Sequence, residues 1–210
     1  MKRIFCISTF VLFSCSAIIG QNNPFARVSE NYFRANPFDR EYSRFIVLLM
    51  NDPVIASKVK VKRTDTTFFS FMAQYKDYSP YTARADRTEI KLLEKEFDVG
   101  DDSVFVPDTV FIYQLLGYFN GKDGREIVKK EFAKFDRRFK KDFLTDEHTD
   151  IVKDEKIIGG MINYFVLAAE VSPLSISWVS TDETHSFFSI LFRFKIKENM
   201  AVLPIPSPSR

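Results

Sequence analysis

The chain has 210 residues, including 30 lysines and arginines, 28 aspartates and glutamates, and two cysteines. The formal charge of +2 comes from Lys2 and Arg3, so the remainder is balanced at 28 basic and 28 acidic residues. Both cysteines, Cys6 and Cys15, also lie in the first 20 residues. A mature chain without this segment is neutral and free of thiols, which argues against a nucleic-acid partner, disulfides and thiolate metal sites.

The first 20 residues have the layout of a secretory signal. A basic start is followed by an apolar run over residues 4–13, then by small or aliphatic residues up to Gly20 and a polar start at Gln21. The run is too short to serve as a permanent membrane span. We therefore expect cleavage after Gly20 and an exported protein, located in the periplasm, at the outer membrane or outside the cell.

A second cleavage site competes with the first. Residues 12–15 resemble a bacterial lipobox, in which the cysteine is lipidated and becomes the first mature residue. The bulky Phe13 and the apolar residues 17–19 depart from that motif. Cys15 is therefore the lipidation candidate, and we expect membrane contact only if it is lipidated.

The first half of the mature chain predicts a leader, a helix and three strands. Residues 21–37 contain two prolines and little periodicity, which predicts an extended leader. Residues 38–51 place apolar side chains at helical spacing and end before Pro53, which predicts a helix. Three strands follow from alternating or β-branched and aromatic residues: 58–62, 66–75 and 88–97. In the third, two adjacent leucines leave a helix open as the alternative.

The second half predicts two helices and three strands. Residues 109–119 follow Pro107 and are apolar nearly all round, which predicts a buried helix. Residues 125–143 have the clearest helical period, with large apolar side chains at Val128, Phe132, Phe135, Phe139 and Phe143. We expect this stripe in the core. Three further strands are predicted at 157–170, 175–180 and 187–197.

Runs of strands separated by blocks of helix predict an α+β fold, with a mostly antiparallel, curved sheet and helices packed on one face. We expect one domain over residues 38–200 and a disordered, proline-rich tail at 201–210. The order of helix and then strands occurs twice, at 38–97 and 125–197, and suggests a degenerate repeat. This order also resembles the cystatin-like or NTF2-like folds. The resemblance concerns architecture alone and implies no site residue.

The two histidines lie in similar acidic segments, 145–150 and 181–185. The candidate metal ligands are one histidine and one acid of each segment: His148, Asp146, His185 and Glu183. Imidazole and carboxylate groups bind divalent ions, but neither segment has the spacing of a helical zinc site or a calcium loop. Polar turns explain the same residue types, so we expect no metal there.

The helix predicted at 125–143 carries eight basic and four acidic side chains. Such a face can bind a lipid or another anionic envelope surface. The same pattern is typical of a solvated helix docked on a sheet, in which the acids pair with bases along the helix. We expect the solvated face.

The sequence contains no nucleophile motif, phosphate loop or cofactor loop, and its 28 acidic residues give no means of choosing a catalytic pair. We therefore assign no catalytic residue and no cofactor, and leave the oligomeric state open. The sequence favours a non-catalytic bacterial cell-envelope or secreted protein that binds another envelope protein or a polymer, as part of an envelope complex. The alternative is a hydrolase of envelope glycans or peptides that acts through carboxylates or the two histidines.

Overall fold

The computed structural model describes residues 24–38, 42–64, 68–98, 107–145, 148–166, 174–182 and 184–195. The predicted signal with Cys15 and the predicted tail at 201–210 lie outside these residues. The described part of the chain forms three helices: α1 (Pro24–Tyr32), α2 (Tyr42–Met50) and α3 (Gly124–Phe139). It also forms nine strands: β1 (Ile55–Thr64), β2 (Phe68–Tyr75), β3 (Arg87–Asp98), β4 (Pro107–Asn120), β5 (Leu144–Thr145), β6 (Thr149–Lys153), β7 (Lys156–Phe165), β8 (Leu174–Ser180) and β9 (His185–Lys195).

The strands form one open sheet in the order β1-β2-β3-β4-β9-β8-β7-β5, and β6 also pairs with β7. Every pair is antiparallel, and β4 pairs with β9 in the middle of the sheet, with Leu115 opposite Ile190. An α+β fold that is mostly antiparallel sheet is therefore confirmed. Helix α2 precedes the strands of one half and α3 those of the other, while the repeat itself stays a prediction.

Most of the predicted elements are confirmed within the described residues. The predicted helix at 38–51 contains α2, and the strands predicted at 66–75, 175–180 and 187–197 overlap β2, β8 and β9. The strand interpretation of residues 88–97 is also confirmed. The helix alternative there is wrong, because β3 pairs with both β2 and β4.

The helix predicted at residues 109–119 is wrong, because this segment is the central strand β4. Phe111, Tyr113 and Leu115 are buried, while the intervening Ile112 and Gln114 are half-buried. The segment is apolar nearly all round because it lies in the middle of a wide sheet. A short apolar run of this kind does not distinguish a buried helix from a central strand by periodicity.

The extended leader predicted at residues 21–37 is also wrong, because it contains α1. Pro24 is the first residue of this helix, where a proline is tolerated because its missing N–H has no helical partner. Phe25, Val28 and Tyr32 are buried and follow one another at helical spacing. The proline therefore begins a helix rather than preventing one.

An aromatic core joins the helices to the sheet. The predicted stripe is confirmed, since Val128, Phe132, Phe135, Phe139 and Phe143 are all buried. Phe33, the residue after α1, contacts Tyr113 and Phe192, with ring centroids 4.6 and 5.2 Å away. Aromatic side chains bury large areas, so this cluster makes a major contribution to stability. Among the described residues, no helix is long and apolar enough to cross a membrane.

Candidate functional site

The connection between β2 and β3, residues 76–86, is held against the sheet by α3. The carboxylate of Glu131 accepts hydrogen bonds from the backbone N–H groups of Thr82 and Ala83, both at 3.1 Å. Glu131 is buried, and the neighbouring Lys134 donates to the hydroxyl of Thr82. A buried carboxylate that accepts two backbone hydrogen bonds fixes a loop firmly, because its charge strengthens both bonds. This connection is called the β2–β3 loop below.

The β2–β3 loop places Tyr81 flat against the sheet at Gly117. A Cβ atom at Gly117 would lie 2.2 Å from Cε2 of Tyr81, so the position has room only for glycine. Phe188, directly opposite Gly117 on β9, packs edge-on against the Tyr81 ring at 5.5 Å. The ring of Tyr81 therefore covers the sheet near the end of β4 and the start of β9.

An open cleft of about 590 Å³ lies along the β2–β3 loop and the adjoining ends of its two strands. Its lining combines three tyrosines with four charged side chains: Tyr75, Tyr78, Tyr81, Asp77, Asp86, Arg84 and Arg87. The two acids balance the two arginines, so the lining carries no formal net charge. A concave site with aromatic walls and a few polar groups is the usual form of a small-ligand site.

Two tyrosines of this lining, Tyr75 and Tyr81, have buried hydroxyls with no hydrogen-bond partner among the described residues. Both side chains are buried, at 3 and 6% exposure. The third tyrosine is different, because the hydroxyl of Tyr78 donates to the carbonyl oxygen of Tyr32 at 2.9 Å. A buried polar group without a partner costs about 1–3 kcal/mol, so two in one cleft are a marked exception to normal pairing.

Burial raises the pKa of the Tyr75 and Tyr81 hydroxyls above their ordinary value of 10.0. Both groups therefore stay protonated at physiological pH and can donate a hydrogen bond. They can also accept one through the phenol oxygen. The wall of the cleft thus contains two uncharged groups, covered in this structure, that could bind a polar ligand atom once uncovered.

An ion pair stands beside Tyr75 and fixes the local charge. Nε of Arg34 donates to both carboxylate oxygens of Asp52, at 3.0 and 2.7 Å. The Arg34 guanidinium also lies over the Tyr78 ring, 5.6 Å from its centroid. The hydrogen bond that Arg34 donates to Asp52 raises the pKa of Arg34, so the guanidinium stays charged beside the carboxylate. The two charges of this pair stabilise the cleft wall by pairing with each other and do not bind a charged ligand.

The structure places each histidine beside a carboxylate of its own segment. Nε2 of His148 lies 3.8 Å from Asp150, and Nδ1 of His185 lies 2.9 Å from Asp182. The other two candidate ligands, Asp146 and Glu183, lie outside the described residues. Within the part of the chain that the structure describes, no three His, Cys, Asp or Glu side chains form a group that could hold a metal ion.

The turn between β8 and β9 brings the acid Asp182 and the hydroxyl of Thr184 into contact with the imidazole of His185, as in a hydrolase triad. However, the hydroxyl of Thr184 and the carboxylate of Asp182 both lie at Nδ1 of His185, at 3.0 and 2.9 Å. A triad needs the nucleophile and the carboxylate on opposite ring nitrogens, so that the ring can pass a proton between them. This geometry stabilises a turn and does not activate Thr184.

Comparisons with family models, with curated proteins and with solved structures give no match for the chain. The cleft is therefore interpreted from its own geometry. Sequence reasoning missed it, although two signals were present. Tyrosines recur at every third position from Tyr75 to Tyr81, next to a proline, and Glu131 interrupts the apolar stripe of α3 with a charge.

Proposed function

We propose that this protein is an exported, non-catalytic binding module of the bacterial cell envelope, or a secreted one, and that the cleft along the β2–β3 loop is its recognition site. The observation that carries the proposal is the pair of unpartnered hydroxyls on Tyr75 and Tyr81. Folding leaves them buried without partners, and a ligand that displaced the cleft wall and supplied polar atoms would remove that cost. Binding energy would then come from groups that the fold itself leaves unused.

The chemistry of the cleft favours an uncharged ligand rich in hydroxyl and carbonyl groups. The phenol hydroxyls can donate to such groups and accept from them. The charged side chains of the lining cancel, which gives no preference for an anion or a cation. A neutral amide-bearing sugar unit of an envelope glycan meets these requirements. The predicted partner class of an envelope polymer is therefore favoured over a strongly charged partner.

The environment of three buried or half-buried carboxylates supports a binding role over a hydrolytic one. Glu131 accepts two backbone hydrogen bonds, Asp52 is paired with Arg34, and Asp136 accepts a hydrogen bond from Tyr164 at 2.9 Å. A general acid or base needs a free position facing the substrate. These three carboxylates instead serve as internal ties. The hydrolase alternative therefore gains no support from them.

We also infer that the helices share one face of the sheet, which curves around them as in cystatin-like or NTF2-like folds. Phe33 and Phe45 both contact Tyr113 of β4, and Phe135 of α3 contacts Phe188 of β9. Phe188 lies opposite a β4 residue four positions from Tyr113, so both point to the same side of the sheet. The order of a helix and then a strand meander supports the same interpretation.

Binding of a neutral oligosaccharide tests the cleft directly. The chain from Gln21 onward contains every described residue, and we would titrate it with short N-acetylhexosamine oligomers by calorimetry. We expect Tyr75→Phe to lower the affinity about two- to tenfold, because the substitution removes one hydrogen bond to the ligand. The matched control is Tyr164→Phe, whose hydroxyl already bonds Asp136 away from the cleft lining. Equal affinities for all three proteins, or no binding by the wild type, would contradict the proposal.

Export is tested by the mass of the protein recovered outside the cytoplasm. We expect the mass of a chain that begins at Gln21. A mass that corresponds to a lipidated chain beginning at Cys15 would instead anchor the protein to a membrane, while the unprocessed mass would exclude export.

A further inference from the structure

Helix α3 turns its acidic side chains toward partners within the protein. Glu126 pairs with Lys129 at 3.8 Å, and Asp136 pairs with Lys140 at 2.8 Å. Glu131 is buried against the β2–β3 loop. In the turn after the helix, Asp142 lies 3.5 Å from Arg27 of α1. The acids that the sequence suggests would neutralise this helix are therefore engaged, and apart from Glu126 the charges on its solvent-facing side are basic.

Four exposed cations form a stripe on that side: Lys130, Lys134, Arg137 and Lys141. Their spacing of four, three and four residues keeps them on one face of the helix and of the turn that follows it. Lys134 donates to the uncharged hydroxyl of Thr82. In the part of the chain that the structure describes, none of the four is paired with a carboxylate. This cationic stripe is about 16 Å long at the rise of an α-helix.

Exposed apolar side chains lie close to the start of α3 and just after the end of the stripe. Leu144, which is 45% exposed, follows the stripe in β5. At the other end, Arg125 of α3 donates to the carbonyl oxygen of Ile157 at 2.9 Å, which brings the β6–β7 hairpin to the start of the helix. Ile157 and its cross-strand neighbour Val152 are 48 and 59% exposed. A surface that combines cations with exposed apolar groups differs from a purely solvated face.

We propose that the cationic stripe binds the anionic headgroup surface of a lipid bilayer, with the flanking apolar side chains at the interface. The apolar face of α3 lies in the core, so the helix itself does not insert. The attraction of single cations to an anionic membrane is roughly additive. A soluble polyanion has no apolar phase that could contact the exposed Leu144, Val152 and Ile157. Membrane contact therefore does not depend on Cys15, in contrast to the expectation from the sequence. The proposal is independent of the cleft.

The experiment uses the chain from Gln21 onward, which has no acyl chain. Sedimentation with vesicles of phosphatidylglycerol and phosphatidylcholine, and with vesicles of phosphatidylcholine alone, measures binding. We expect binding to the mixed vesicles only, weakened by salt. The double variant Lys130→Gln/Arg137→Gln should reduce partitioning by about 25-fold, from about fivefold for each cation. The matched control, Arg44→Gln/Lys76→Gln, removes the same charges from exposed positions on other elements.

A control variant that loses binding as strongly as the stripe variant would overturn the proposal, because net charge alone would then explain the binding. Equal binding to neutral vesicles, or no binding to either kind, would also overturn it. A further arm replaces the apolar flank with Val152→Ser/Ile157→Ser and adds inorganic polyphosphate as a competitor. We expect this variant to bind vesicles less well than the wild type does. Its affinity for polyphosphate should be unchanged. Unaltered vesicle binding by this variant would overturn the proposal, because binding would then rest on charge alone, as it does for a soluble polyanion.

Discussion

Two connections at the same end of the sheet use their polar groups in opposite ways. The β8–β9 turn satisfies itself, because Asp182 accepts hydrogen bonds from the backbone N–H groups of Thr184 and His185, at 2.7 and 2.8 Å. The β2–β3 loop borrows its acceptor from another element, since Glu131 of α3 bonds its backbone. The short turn is denser in acids and is followed by a histidine, yet the acceptor for these two N–H groups comes from within it.

Unpaired polar groups therefore indicate a binding site better than a high density of polar residues does. In the β8–β9 turn, the N–H of Thr184 and the ring of His185 hold the pKa of Asp182 below its ordinary value, as expected for a carboxylate whose bonds are made. Beside the β2–β3 loop, the hydroxyls of Tyr75 and Tyr81 are buried and unpaired. The first arrangement is structural, and the second is the candidate for binding.

The largest effect expected is from Phe135→Ala, which removes the support beneath the β2–β3 loop. Phe135 is 4% exposed and contacts Phe188 and Tyr81, with ring centroids 5.0 and 6.2 Å away. We expect the free energy of unfolding to fall by about 3–5 kcal/mol, as for other buried aromatic side chains. Urea denaturation measures this. An unchanged midpoint would mean that the ring is not part of the core.

Glu131→Ala removes the acceptor that the β2–β3 loop borrows. Two backbone N–H groups would lose a charged partner, and we expect a loss of about 3 kcal/mol together with faster hydrogen exchange at Thr82 and Ala83. The matched control is Glu126→Ala on the exposed side of α3, with an expected loss of about 0.5 kcal/mol or less. Equal losses in the two variants would show that the loop does not depend on α3.

Gly117→Ala tests whether Tyr81 must lie against the sheet. The added Cβ would overlap the ring, so either the ring moves or the strand does. We expect a loss of about 2 kcal/mol, as for other overpacked positions, together with altered ring signals of Tyr81 in NMR spectra. A fully stable variant with unchanged Tyr81 signals would contradict the packing described for this residue.

The smallest effect expected is on the β8–β9 turn, whose contribution to stability depends on pH. Because the pKa of Asp182 is lowered in the folded protein, its contribution to stability is present above the ordinary value of 3.8 and is lost as the pH falls below it. Asp182→Asn should therefore lower the melting temperature slightly at neutral pH, and the difference should shrink below about pH 4. A difference that grows in acid would have the wrong sign for this account.

Local periodicity predicted the parts of the fold in which burial depends on a single helix or strand. The stripe from Val128 to Phe143 was predicted because a single helix face buries it. Strand β4 was mistaken for a helix because its burial depends on two neighbouring strands, which the sequence does not specify. The cleft was missed for the same reason. It requires the register that sets Gly117 opposite Phe188 and a loop that returns over it, and both are tertiary features.

The stability of Tyr81→Phe, measured with and without an N-acetylhexosamine oligomer, tests the central claim most directly. Without ligand, the variant should be about 1 kcal/mol more stable than the wild type, because it removes a buried hydroxyl that has no partner. The control Tyr164→Phe should instead be less stable, since it deprives Asp136 of a donor. At saturating oligomer the difference in stability between Tyr81→Phe and the wild type should shrink or change sign, because the ligand bonds the wild-type hydroxyl. A Tyr81→Phe variant that is less stable without ligand, and is stabilised by the oligomer as much as the wild type, would contradict the account.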